Sequence, residues 1–452
     1  MHRLCLITVT LMLVLVTAPP ASAISPPSID PGAVPPDVTG PDQPLEQRRL
    51  CKAPLALPGT NFHDPPWANN YLGVGEAHKF ATGAGITVAL IDTGVDASPR
   101  VPAEPGGDFV VKDGDGLTDC DAHGTLIASI IAGRPALTDG FVGVAPDARL
   151  ISVRQTSEAF DPKDNQNNPN DPNASPAAGS IRSLARAVVH AANLGANVIN
   201  ISEAACFKVR KPVDETTLGA ALDYAANVKN IVVVAAAGNA GGDCSQNPPP
   251  DPSQPADPRG WQQVQTIVTP AWYSPLVLAV GGVGQNGAPS PFSIRGPWVG
   301  AAAPAEDIVA LGPEGEPVDA LPGKEGPVPI AGTSFAAAYV SGLAALLRQR
   351  FPELTAAQVI NRITASARHP GGGVDEAVGA GTVDAFAALT WDIPAGSTNA
   401  TPLIVNRIQP PTLVPPPDHG PINAVVSAIV GTLLALGLTS LARQALRRRR
   451  TP

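Results

Sequence analysis

Five short runs of this chain, residues 86–91, 149–153, 197–201, 231–236 and 276–280, are apolar almost from end to end, and helical patterns stand between them. A strand that is apolar on both faces must be covered on both faces, and intervening helices supply the cover as well as the crossovers. The alternation predicts an α/β fold with a mainly parallel central sheet and helices on both faces. The helical patterns span residues 125–132 and 181–194, the second stopped by Gly195. Two more lie at 334–350 and after Thr355, which has Gln358 three positions on, the spacing of a capping box.

Three motifs fall at the edges of these elements: Leu90-Ile91-Asp92-Thr93-Gly94, His123-Gly124-Thr125 and Gly332-Thr333-Ser334-Phe335-Ala336. Serine is a poor nucleophile at neutral pH. It needs an imidazole to take its proton and a buried carboxylate to hold that imidazole in the right tautomer. Asp92, His123 and Ser334 are the candidates for these roles. Their order, Asp then His then Ser, differs from the two other common orders of such triads. Asp92 ends an apolar strand, which sets its carboxylate at the carboxyl edge of the sheet, where open α/β proteins carry their sites. Ser334 starts a helix rich in small residues, Ala336, Ala337, Ala338 and Gly342, and the N-terminus of that helix offers partial positive charge to an oxyanion. A further strand ends in Gly238-Asn239, and the Asn239 amide is a candidate oxyanion donor.

The two ends of the chain carry different signals. Arg3, an apolar stretch over residues 4–16 and the small residues Ala21-Ser22-Ala23 predict a signal peptide cleaved after Ala23. Residues 24–60 are Pro-rich without a sustained period and read as an irregular extension. The candidate catalytic domain covers 61–392, a Pro-rich linker 393–421. Residues 422–442 are uncharged and mostly apolar, enough to cross a bilayer once as a transmembrane helix, and a basic tail, 443–452, follows. Arg443, Arg447, Arg448, Arg449 and Arg450 keep that tail in the cytoplasm, which places the catalytic domain on the extracytoplasmic, periplasmic side of the cell membrane. A formal net charge of −9 argues against a nucleic-acid partner. Four cysteines remain after the signal peptide, Cys51, Cys120, Cys206 and Cys244, and outside the cytosol they read as two disulfides of three possible connectivities.

The three motifs, with Val142-Gly143-Val144-Ala145-Pro146 and Gly379-Ala380-Gly381-Thr382-Val383-Asp384, resemble those of the subtilases over roughly residues 83–389. More narrowly the chain is similar to the mycosins, membrane-anchored subtilisin-like proteases of actinobacterial type VII secretion systems. That narrower likeness rests on the four mature cysteines, the Pro-rich arm, the linker and the C-terminal apolar segment. The resemblance implies a subtilisin-like fold and a serine endopeptidase acting on exported proteins beside type VII secretion membrane components. The same architecture fits a second role, a structural subunit of the secretion complex in which proteolysis is secondary.

The resemblance also implies that a strand segment Ser202 to Ala204, with Gly238, lines the primary specificity pocket. Subtilases usually carry Leu-Gly after that serine, whereas this chain has Glu203-Ala204. Glu203 either favours basic side chains in the pocket or points to solvent. In a subtilase the strands before Cys206 and Cys244 are neighbours, which implies a Cys206 to Cys244 bond and leaves Cys51 to Cys120. That second bond would keep the arm attached as a retained extension. Asp113-Gly114-Asp115-Gly116 with Asp119 and Asp121 has the look of a calcium loop, but its spacing does not fit an EF-hand, and no metal or cofactor is expected. The polar insertions at 161–178, 246–258 and 312–329 read as surface loops.

Overall fold

The computed structural model describes residues 24–163, 178–210, 213–242, 244–399, 432–440 and 442–443. The signal peptide, most of the 161–178 insertion, and most of the linker, apolar segment and basic tail lie outside the described residues. The chain forms two compact units, residues 1–402 and 403–452.

Seven strands build the central sheet of the first unit: β1 (Thr87–Asp92), β2 (Ala103–Asp108), β3 (Arg149–Arg154), β4 (Val198–Ile201), β5 (Val232–Ala236), β6 (Val277–Val283) and β7 (Val299–Pro304). Their spatial order is β7-β6-β5-β4-β1-β3-β2, and every pairing is parallel. From β1 the chain first lays β2 at one edge and inserts β3 between the two, then returns to build outward on the other side from β4 to β7. The carboxyl end of β1 is therefore the point where strand order reverses, and Asp92 stands on it.

The unbroken apolar runs have the expected cause. Along β1, Val88 and Leu90 join one hydrophobic cluster while Ala89 and Ile91 join the other. Along β5, Val232, Val234 and Ala236 alternate in the same way with Val233 and Ala235. The first face is covered by α1 (His123–Ala132), α4 (Thr333–Arg350) and α5 (Ala356–Ala365), the second by α2 (Ile181–Asn193) and α3 (Thr216–Asp223). Helix α4 is buried on all sides from Thr333 to Arg348, which a helix tolerates only when its surface is apolar or small all round. Gly342 shows why small residues are needed there: a Cβ would sit 2.5 Å from the Val144 Cβ.

Several elements differ from the sequence expectation. The edge strands β2 and β7 were not foreseen: β2 reads Ala-Glu-Pro-Gly-Gly-Asp, because an edge strand needs no apolar run on both faces. Strand β4 stops at Ile201, so residues 202–204 continue unpaired. Beyond them Ala205–Lys208 leaves the main sheet to pair antiparallel with Thr266–Thr269. The 312–329 insertion holds a paired turn, with Ala320–Gly323 antiparallel to Gly326–Pro329, and is no simple loop. The 246–258 insertion has no helix or strand.

The arm runs from Ile24 over the second helical layer. Its short strand Leu45–Gln47 pairs with Phe160–Pro162. Asp37 meets His190 at 2.6 Å and Asp42 meets Arg186 at 2.5 Å, both partners on α2. Farther on, Asp319 accepts the Leu57 N–H at 2.7 Å and the Thr60 hydroxyl at 2.6 Å. Cys51 is bonded to Cys120 and Cys206 to Cys244, with Cα atoms 4.3 and 5.2 Å apart.

Candidate active site

Three turns converge at the carboxyl edge of the sheet. Asp92 closes β1, fully buried, and its Oδ1 accepts the Thr93 N–H at 2.7 Å. His123 is the first residue of α1, two positions earlier than the apolar pattern suggests, and Ala122 before it takes the left-handed conformation at φ 62°. Strain of this kind persists only where the surroundings dictate it. Here the dictation is steric: Gly124 passes so close to Gly94 that an added Cβ would lie 2.0 Å from the Gly94 carbonyl oxygen. Ser334 begins the second residue of α4, after Gly332 at φ 154°.

The side chains meet in a relay. His123 Nδ1 lies 2.7 Å from Asp92 Oδ1 and Nε2 lies 3.0 Å from Ser334 Oγ. With Nδ1–H donated to the carboxylate, Nε2 is left as the acceptor for the serine proton. Burial works against a charge on the imidazole. Asp92, through its charge and hydrogen bond, with Glu203 and Asp119 behind it, overrides burial and pushes the ring up to about 9.

Asn239 follows β5 and accepts from the Thr333 N–H at 2.9 Å and the Thr333 hydroxyl at 3.1 Å. Gly238 beside it has φ 94° and donates its N–H to Thr333 Oγ1 at 3.2 Å. Ser202 is buried, its hydroxyl accepting from Asn200 Nδ2 at 2.7 Å. Glu203 turns toward the relay: its Oε1 is 4.0 Å from His123 Nδ1, with 36 % of the side chain exposed. Burial and the nearby Asp92 charge push its carboxyl up to about 7 against the pull of His123. Asp92, His123 and Glu203 bring one donor atom each within 4.8 Å of one another, a possible metal cluster, but its nitrogen is the one the relay uses.

Sequence reasoning passed over the brace under the relay. Asp119, buried, accepts the Thr125 N–H at 2.8 Å, the Thr125 hydroxyl at 2.7 Å and the Thr93 hydroxyl at 2.8 Å. Thr93 Oγ1 also accepts the Gly124 N–H at 2.9 Å. These bonds tie the turn after Asp92 to the first turn of α1. Burial pushes Asp119 up to about 6, opposed by its Thr125 and Thr93 hydrogen bonds. The available signal was the Thr that follows each motif residue, Thr93 after Asp92 and Thr125 after His123-Gly124.

A parallel doubly wound sheet with an Asp–His–Ser relay at its switch point defines a serine hydrolase of the subtilisin type. Residues 83–381 match the family model for the subtilase family. The chain belongs to the subtilase family, and within it to the mycosins, and is a serine endopeptidase. It is 75 % identical over 449 residues to Mycosin-1 of Mycobacterium tuberculosis (strain ATCC 25618 / H37Rv), which covers 99 % of this chain and 100 % of that relative. Its fold matches a crystal structure of MycP1 from the ESX-1 type VII secretion system with a TM-score of 0.82 and 69 % identity, covering 84 % of this chain and 99 % of that one. It also matches a chain from an intact ESX-5 inner membrane complex with a TM-score of 0.78 and 45 % identity, over 92 % and 99 % of the two chains.

Proposed function

We propose that this chain is a membrane-anchored endopeptidase that cleaves exported proteins beside a type VII secretion apparatus. In this reading Ser334 Oγ attacks the peptide carbonyl while its proton passes to His123 Nε2, and Asp92 stabilises the imidazolium that forms. The Asn239 amide and the Ser334 N–H hold the oxyanion. The imidazolium then gives its proton to the leaving amine, and water, deprotonated by the same ring, releases the acyl group. Ser202, Glu203 and Gly238 flank the position of the substrate side chain. The observation that carries the reading is the pair of contacts at 2.7 and 3.0 Å through one imidazole. Labelling with a fluorophosphonate, with the modified residue mapped, tests it: the label is expected on Ser334 and absent from Ser334→Ala. Peptide cleavage by Ser334→Ala would overturn it.

The secretion setting is drawn from the relatives, one of which is a chain of an ESX-5 inner membrane complex. Among the described residues no helix is long and apolar enough to cross a membrane. The anchor is read from the apolar sequence at 422–442, and the helical residues 432–440 expose Leu433, Leu434, Leu436 and Leu438 in support of it. Signal peptide cleavage after Ala23 and a cytoplasmic basic tail complete a single-pass topology with the catalytic domain on the periplasmic side. Likeness to a chain of an assembled membrane complex also favours the second reading, a structural subunit. Secretion in a deletion strain carrying Ser334→Ala separates the two: restoration favours scaffolding, loss favours proteolysis.

A further inference from the structure

Two carboxylates reach the Nδ1 side of His123. Asp92 Oδ1 stands at 2.7 Å and Glu203 Oε1 at 4.0 Å. They arrive from neighbouring strands of the sheet, Asp92 at the end of β1 and Glu203 two residues past the end of β4, in parallel register. The position is not an accident of a loose loop, because Ser202 just before Glu203 is buried and held by Asn200, whose Oδ1 in turn accepts the Ser341 hydroxyl of α4 at 2.8 Å.

The other charged groups around Glu203 already have answers. Glu158, in the loop after β3, pairs with Lys52 of the arm at 2.5 Å, and Arg49 of the arm adds to that positive charge. Asp121, before α1, accepts the Ser157 hydroxyl at 2.5 Å and the Glu158 N–H at 3.1 Å. Asp119 is taken up by Thr93 and Thr125. Among the described residues, the cation that Glu203 faces is His123 itself. A charge of opposite sign within about 4–6 Å favours the charged form of a group, so a proton on this ring is stabilised by two carboxylates.

We propose that Glu203 is a positioning residue acting through His123: with Asp92 it stabilises the imidazolium formed when Ser334 gives up its proton, and it also holds the resting ring protonated. The inference rests on the relay reading above. Glu203 thereby trades activity near neutrality for a stronger base under alkaline conditions. Peptide recognition need not involve it.

The test is the rate of fluorophosphonate labelling of the full chain in detergent as a function of pH, for wild type, Glu203→Gln and Glu203→Asp, with thermal midpoints to establish folding. The probe carries no peptide, so changes in side-chain recognition do not enter. Glu203→Gln is expected to move the acid limb of the profile down by about one pH unit and to lower the alkaline plateau severalfold. Glu203→Asp keeps a carboxylate but sets it farther from the ring, so its limb falls between the two, and it carries the test alone if Glu203→Gln does not fold. A Glu203→Gln profile that superimposes on wild type or moves up in pH overturns the proposal. So does an aspartate profile outside the interval between the other two. Label mapped to a residue other than Ser334 would end the relay reading itself, whereas label on Ser334 with an unmoved limb ends only the role of Glu203.

Discussion

Asn239 accepts two hydrogen bonds from Thr333, the backbone N–H at 2.9 Å and the hydroxyl at 3.1 Å, and both land on the amide oxygen. An N–H can only be met by an acceptor, so this pair fixes which end of the amide is which and leaves Nδ2 for the side of Ser334. The ordering is built into α4, since Thr333 is its first residue and Ser334 its second.

The oxyanion role follows from that orientation. Asn239→Ala should lower kcat by roughly 10² to 10³ with KM little changed, because the donor is needed only when charge develops on the carbonyl oxygen. Thr333→Ala should cost less, since the backbone N–H still orients the amide. Steady-state kinetics on a peptide substrate measure both, and a kcat for Asn239→Ala within threefold of wild type would remove Asn239 from the mechanism.

The pH profile follows from His123. Its ring is pushed up to about 9, against burial, chiefly by Asp92. An imidazolium cannot accept the serine proton, so the active form is the deprotonated one and kcat/KM should rise with pH toward about 9. The reverse sign, activity falling from neutral to alkaline pH while the protein stays folded, would contradict this. Asp92→Asn should pull the limb down and cut turnover by about 10⁴ through the wrong tautomer.

The parts of this molecule that could be read in the sequence share one property: their cause is local. Strands β1, β3, β4, β5 and β6 announced themselves because burial on both faces makes most of their residues apolar. The edge strand β2 lacks that constraint and gave no run to find, whereas β7 is buried but built mostly of Gly and Ala, small residues with little strand signature of their own. At the site, the residues with chemistry of their own stood out, while Asp119 and Thr93 did not. Their importance lies in bonds between segments that are 26 residues apart, and no window along the chain contains both ends. Glu203 was visible as a departure from the family pattern, but its direction toward His123 depends on the alignment of β4 beside β1.

Gly124 gives a steric prediction. A Cβ there would lie 2.0 Å from the Gly94 carbonyl oxygen and 3.2 Å from Asp92 Oδ1. The first obstacle is backbone and cannot swing away, so Gly124→Ala must push α1 from the turn after β1. Overpacking of this kind typically costs about 1–3 kcal/mol. The His123 ring moves with its helix, so kcat/KM should fall by more than the loss of stability alone explains. Calorimetry together with kinetics below the unfolding range tests this. Wild-type activity in a folded Gly124→Ala protein would show that the relay tolerates displacement.

The bond between Cys51 and Cys120 gives the last prediction. It spans 69 residues, a loop for which chain entropy gives about 4 kcal/mol of stabilisation. The noncovalent ties of the arm are weaker candidates, because exposed pairs such as Arg49 with Asp161 or Lys52 with Glu158 contribute little each. A backbone cut within residues 52–60 should therefore leave the arm attached without reductant and loosen it when the bond is reduced. The Cys51→Ser/Cys120→Ser double variant should melt several degrees lower than wild type under nonreducing conditions. Mass spectrometry of the cut protein with and without reductant reads the attachment, and a thermal scan reads the stability. An arm lost from the cut, unreduced protein would mean that this bond does not hold it, and with that the view of the arm as a retained extension fails.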